Sequence, residues 1–140
     1  MSDKKMTVLF VCIHNAARSQ MAEGIANSLF KDKLESKSAG TKPTALDPYA
    51  VKVMAEIGID ISWHKVKSLK DLKGEQFDFL VTLCKDDEDL CPFYPGAKET
   101  LHRTINDPPG INGTEEERMA AYRLMRDEIL GFIRQQFIAV

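Results

Sequence analysis

Little in this sequence points to a dedicated interaction chemistry. It has only three cysteines, one tryptophan and no large excess of either charge. An odd, small cysteine count in a 140-residue chain argues against a secreted disulfide framework, because a chain of this size buries enough core to fold without staples. Nineteen Lys and Arg against twenty-one Asp and Glu give a net charge of −2, which argues against a nucleic-acid binder or a polybasic membrane-surface protein. No apolar run approaches the ~20 residues that span a bilayer. What is present is ordinary for one globular domain: 44% hydrophobic residues to build a core and 29% charged residues to solvate it, so disorder is not expected. A single domain over residues 1–140 is expected, as a monomer, with no nucleic-acid or membrane partner.

The start, Met1-Ser2-Asp3-Lys4-Lys5 and then Met6 to Cys12, has the outline of a leader peptide. Its apolar stretch is only about seven residues, and Asp3 sits in the basic region. No small residues precede Cys12 as a cleavage site would want. A first core strand in a cytoplasmic protein is expected instead.

Strand and helix patterns alternate along the chain. Met6 to Val11 is short, apolar and β-rich, so it reads as a strand buried on both faces. From about Ala17 to Phe30, Met21, Ala22, Ile25, Ala26 and Leu29 recur at helical spacing. Ser36 to Gly40 is a short segment. Asp47-Pro48 suits the start of a helix, as cap and first-turn residue, and Gly58 its stop. Ile59 to Lys67 is ambiguous, and Ser68 to Leu72 is a candidate helical turn. Phe77 to Leu83 is the strongest strand signal and runs into Cys84. Lys85 to Gly96, polar and acidic, reads as a loop or weak helix. Leu101 to Ile105 reads as a short strand before Asn106-Asp107-Pro108-Pro109. Thr114 and Glu117 form a capping-box pattern that opens a last helix reaching Phe137. The alternation predicts an α/β fold of three layers, α/β/α, around a parallel sheet of about four strands.

In open parallel sheets, ligands bind outside the carboxyl ends of the strands. Cys12, Cys84 and Asp107 all follow predicted strands, so all three are expected on that rim. The segment Cys12-Ile13-His14-Asn15-Ala16-Ala17-Arg18-Ser19 joins a strand to a helix. Such a turn can aim the backbone N–H groups of Ile13 to Arg18 at an anion, and the helix N-terminus adds positive potential. Arg18 supplies a planar fork for two oxygens of a tetrahedral oxyanion. The same field favours the ionised, nucleophilic form of Cys12. Ser19 is placed to donate a hydrogen bond to that sulfur, and Asn15 tolerates the left-handed backbone a tight loop requires. The bland alternative makes Cys12 a buried small hydrophobe and Arg18 a solvated helix residue. His14 is expected to shape the loop rather than act as a base, and Tyr49, Trp63 and Tyr94 to be core or rim residues.

The other two cysteines suggest redox work. Hydrolysis needs one nucleophile; reducing a substrate with thiols takes two electrons and at least two thiols. Cys84 and Cys91 lie seven apart around a segment, Lys85 to Leu90, with little apolar content to anchor it. Two alternatives stay open. Cys84 could be a core residue with Cys91 an incidental thiol, or the three cysteines and a histidine could bind zinc, although six intervening residues do not match the usual ~2–4.

The run Val11-Cys12-Ile13-His14-Asn15-Ala16-Ala17-Arg18-Ser19-Gln20-Met21-Ala22-Glu23 resembles the active-site signature of the low-molecular-weight protein tyrosine phosphatase superfamily. The Ser-Gln-Met-Ala-Glu continuation, with Thr82-Leu83-Cys84 and Cys91-Pro92, resembles its thioredoxin-coupled arsenate reductases. Phosphatases of the superfamily carry a second cysteine in the loop and a proline after its serine; Ala17 and Gln20 stand there here. The resemblance implies a low-molecular-weight phosphatase-like fold and arsenate as substrate, with phosphate or sulfate as mimics. Cys12 would attack arsenate, and Asp107 would protonate the leaving oxygen, which requires a proton held there by burial or by the bound anion. Cys84 would attack Cys12, and Cys91 would attack Cys84. That leaves a Cys84–Cys91 redox disulfide for thioredoxin. Phosphate-monoester hydrolysis through Cys12, and a thiol-based sensor without turnover, are the competing readings. No cofactor is implied. Some members bind potassium behind the loop through an Asn, a Glu, a Ser and an acidic residue. Asn15, Glu23 and Ser38 match three of these, but the acidic position falls on Lys67, so no tight potassium site is expected.

Overall fold

The computed structural model describes residues 5–83 and 94–138. Strand β1, Met6–Cys12, is the axis of the molecule. Its central residues Val8, Leu9, Phe10 and Val11 are wholly buried, which explains a continuous apolar run in place of alternation. β2 (Leu34–Gly40) and β3 (Phe77–Thr82) flank it, both parallel, in registers that pair Cys12 with Gly40 and Val11 with Thr82. β4 (Ala97–His102) adds to the far side of β3, giving the order β2-β1-β3-β4.

Three helices pack on one face: α1 (Arg18–Leu29), α2 (Pro48–Ala55) and α3 (Glu115–Ile133). They bury Met21, Ile25, Val53, Met54, Met125 and Ile129 against Val8 and Phe10. On the other face, among the described residues, the 3-10 turn Leu69–Leu72 and Tyr94 cover Leu9, Val11 and Leu80. No helix among the described residues is long and apolar enough to cross a membrane.

The helix starts follow the sequence signals. Asp47 caps α2, its Oδ1 accepting from Tyr49 N at 2.8 Å. Thr114 and Glu117 close a reciprocal capping box on α3, and Ser68 and Asp71 do the same for the 3-10 turn. α3 ends at Ile133, and a wider π turn, Arg134–Ile138, carries the chain on to bury Phe137.

One strand expectation is corrected. The last strand spans Ala97–His102, not Leu101 to Ile105. Ala97-Lys98-Glu99-Thr100 is too polar to signal a strand by hydrophobicity. As an edge strand, however, β4 needs only backbone pairing to β3, and its side chains are mostly exposed. Ile105 is wholly buried, but in the connection beyond the strand.

The outer edge at β2 has its own device. The Asn27 side chain on α1 accepts from Ser36 N at 2.8 Å and donates to Ser36 O at 3.0 Å. One amide thus satisfies both backbone groups of an edge residue.

Candidate active site

β1 delivers Cys12 to the carboxyl edge of the sheet, only 3% exposed. The chain then bends through residues 13–17 into α1, and Asn15 takes the left-handed conformation at φ 52°. Outside the bend, the carbonyls of Ile13, His14 and Ala16 accept from the N–H groups of Lys42, Thr44 and Asp47 at 2.8–3.1 Å. In a trans peptide the N–H points opposite its carbonyl. The N–H groups of His14, Asn15 and Ala17 therefore turn to the inner side. No side chain caps the first turn of α1, so no side-chain oxygen competes for its first N–H groups. Gly40 makes the bend possible: a Cβ there would stand 2.6 Å from Ile13 O and 2.9 Å from Asn15 N.

The inner side is a cavity of about 160 Å³, lined by Cys12, His14, Ala17, Arg18, Asp107 and Met125 among others. Arg18 Nη2 lies 3.1 Å from Asp107 Oδ1, so the guanidinium and the carboxylate meet at its rim. Cys12, the loop, Arg18 and Asp107 are thus brought around one small space, and Ser19 is buried against the Cys12 sulfur. Asp107 is exposed, so the burial expected to hold its proton is absent. His14 is exposed too, with Nδ1 3.1 Å from Lys42 O.

Beneath the cavity runs a buried hydrogen-bond chain. Cys12 Sγ is 2.8 Å from Ser19 Oγ, and Asn15 Nδ2 donates to the same Oγ at 2.8 Å. The hydroxyl keeps its own proton, which it can give to the sulfur once Cys12 is ionised. Asn15 Oδ1 accepts from Gln20 Nε2 and from Lys67 N. Gln20 Nε2 also donates to Lys65 O, so its Oε1 turns to His64 Nδ1 at 2.9 Å. Because that oxygen only accepts, the proton of neutral His64 sits on Nδ1. His64 Nδ1 thus donates to Gln20, Gln20 to Asn15 and Asn15 to Ser19, so the chain of donors leads to the hydroxyl beside Cys12.

Burial of His64 pushes its pKa below the ordinary histidine value, and the Lys67 ammonium adds to this. The Glu23 and Asp60 carboxylates pull the other way but do not prevail. Glu23 is buried, accepting from Ser38 Oγ at 2.6 Å and lying 3.7 Å from Lys67 Nζ. Lys67 therefore supplies from within the chain the positive charge facing that carboxylate, and the residues present do not fit a potassium ion. Among the described residues no cluster of three or more His, Cys, Asp or Glu could hold a metal. Cys84 and Cys91 lie outside the described residues.

Sequence reasoning passed over Gln20's bridging role, His64, and a hydrogen bond from Tyr122 Oη to Asp47 Oδ2. Gln20 carried one usable signal, since it stands where a proline would leave no amide. Tyr94 is a core residue, its hydroxyl near the Leu72 and Glu75 carbonyls, whereas Trp63 is 71% exposed.

A parallel sheet with a cysteine-to-arginine loop between β1 and an uncapped α1, and a small cavity at that loop, defines the class: an α/β protein with its candidate site at the carboxyl edge of the sheet. The chain belongs to the low molecular weight phosphotyrosine protein phosphatase family, whose model matches residues 7–136. It is 41% identical over 125 residues to an arsenate reductase of Halalkalibacterium halodurans, covering 89% of this chain and 90% of that one. It is 41% identical over 122 residues to an arsenate reductase of Bacillus subtilis, covering 87% and 88%. Among solved structures, an arsenate reductase in the phosphate binding state matches with a TM-score of 0.73 at 27% identity, over 93% of this chain and 98% of that one. A thioredoxin-dependent arsenate reductase from Corynebacterium glutamicum matches with a TM-score of 0.68 at 29% identity, over 96% of this chain and 61% of that one.

Proposed function

We propose that this protein reduces arsenate to arsenite with its three cysteines. The Cys12 thiolate attacks arsenic held by the loop N–H groups and Arg18. An As–S bond forms and one As–OH oxygen leaves as water, taking its second proton from Asp107, which picks that proton up from solvent once the bound anion has displaced the carboxylate from Arg18. The Cys84 thiolate then attacks Cys12 Sγ. The S–S bond forms, the As–S electron pair stays on arsenic, and arsenite departs. Cys91 attacks Cys84, which frees Cys12 and leaves a Cys84–Cys91 disulfide. A dithiol protein of the thioredoxin class returns both thiols, and such exchange belongs in a reducing compartment, the cytoplasm.

The observation that carries this reading is a hydrogen bond from Leu83 N to Val11 O at 2.8 Å. It holds the residue before Cys84 beside the residue before Cys12. The identity to curated arsenate reductases supports the substrate, and the thioredoxin-dependent neighbour supports the electron donor.

One arsenate turnover without reductant, followed by peptide mapping, tests it. Cys84 and Cys91 should be linked and Cys12 free; Cys91→Ser should trap Cys12–Cys84. Normal thioredoxin-coupled turnover by Cys84→Ser would overturn the mechanism. Phosphate-monoester hydrolysis is the second reading, favoured by the family match and by the same Cys12, Arg18 and Asp107 cavity. It requires neither Cys84 nor Cys91.

A further inference from the structure

The Cys12 cavity has a larger neighbour. Beside its 160 Å³ lies an open depression of about 450 Å³, lined by Thr44, Leu46, Pro48, Tyr49, Ile111 and Arg118 among others. Sites for drug-sized organic ligands occupy roughly 300–1,000 Å³, so the first space is too small for one and the second is not. Ala16, Asp47 and Tyr122 line both.

These shared residues form a braced wall. Tyr122, from α3, donates its hydroxyl proton to Asp47 Oδ2. Asp47 is held twice more: Oδ1 accepts from Tyr49 N at 2.8 Å, and its own N–H donates to Ala16 O at 3.0 Å. The Tyr122 ring stacks on Tyr49, centroids 5.3 Å apart, and the Arg118 guanidinium lies 5.8 Å from the Tyr49 centroid. The wall therefore joins the loop, α2 and α3. Burial and the Asp47 carboxylate both raise the Tyr122 pKa, which keeps the phenol protonated and its hydrogen bond intact.

We infer that the Asp47–Tyr122 pair is a specificity-determining partition, confining the Cys12 cavity to free tetrahedral oxyanions and barring phosphate esters that carry an aryl or peptidyl group. An ester bound at the loop must send its organic group out of the cavity. The depression past Tyr122 has the volume and the aromatic and apolar lining for such a group, and the wall stands across the way. The inference rests on the 12–19 loop being an oxyanion site and deepens that reading; it does not depend on arsenate being reduced.

The test compares dissociation constants for inorganic phosphate and phenyl phosphate, measured by calorimetry on the full chain. Phenyl phosphate is expected to bind at least tenfold more weakly than inorganic phosphate. In Tyr122→Ala that ratio is expected to fall to threefold or less. A wild-type ratio below tenfold overturns the inference, and so does a folded Tyr122→Ala with a ratio above threefold. Should that variant not fold, Tyr122→Phe carries the test: it loses the hydroxyl that ties the wall to Asp47, so its ratio should drop at least threefold, and a smaller drop overturns the partition. Absence of phosphate binding would sink the oxyanion reading itself. A chain that binds phosphate but never reduces arsenate would sink only the reductase reading, because neither probe is reduced.

Discussion

Ser19 Oγ stands 2.8 Å from Cys12 Sγ while it accepts from Asn15 Nδ2, so its one proton can go to the Cys12 thiolate when that forms. A hydrogen bond to a charged group contributes about 1.5–3 kcal/mol, so Ser19→Ala is expected to slow Cys12 chemistry roughly tenfold to a hundredfold. Iodoacetamide labelling of Cys12 and single-turnover arsenate kinetics should fall together. Labelling at the wild-type rate would mean that the serine only packs.

Asp107 and Arg18 pair at 3.1 Å, so the carboxylate competes with an incoming oxyanion for the guanidinium. Asp107→Asn is expected to bind phosphate at least as tightly as the wild type. Loss of a general acid typically costs ~10²–10⁴-fold, so its turnover should fall by at least a hundredfold. Calorimetry and steady-state rates separate the two effects. An unchanged rate would remove Asp107 from the chemistry.

His64 titrates below the ordinary histidine value, chiefly through burial. A depressed histidine pKa means that the unfolded chain binds the proton more readily than the folded one. Stability is then fully present above the unfolded value of ~6.5 and is lost as pH falls toward the folded value. The melting temperature should decline below about pH 6.5, and His64→Gln should flatten that part of the curve. The charges facing His64 are Glu23, Lys67 and Asp60, so the comparison is made at fixed ionic strength. A wild-type slope surviving in His64→Gln would assign the loss to another group.

Lys67 faces Glu23 with a tethered ammonium. Exchanging choline chloride for potassium chloride should leave both activity and melting temperature unchanged. In Lys67→Asp two carboxylates would face each other, lowering stability in choline, and potassium should restore part of it. A clear potassium response in the wild type would contradict the assignment.

Gly40→Ala places a methyl against backbone atoms of Ile13 and Asn15 that cannot swing aside. Overpacking of this kind costs about 1–3 kcal/mol, which thermal melts would register. Phosphate affinity should fall with it, since the displaced atoms belong to the loop.

Much of the fold was legible because local signals agreed with tertiary demands. The apolar run of β1, the Asp47-Pro48 start and the Thr114–Glu117 box each name their element without outside help. β4 was misplaced because an edge strand is specified by its neighbour's backbone and not by its own hydrophobicity. At the site, Cys12, Arg18 and Ser19 are local to one bend and could be read directly. Gln20 with His64, and Asp47 with Tyr122, are 44 and 75 residues apart. Their meeting depends on how the helices and the 59–67 segment pack, which no single-chain spacing encodes.

The Asn27 clamp on Ser36 reaches beyond local satisfaction. A flat sheet with two open margins invites fibril growth by strand addition. Here one margin has an amide seated where a foreign backbone would dock, with Glu35 and Lys37 exposed on either side. The opposite margin carries exposed Lys98 and Glu99. The architecture can thus leave both borders bare while denying a misfolded copy a template.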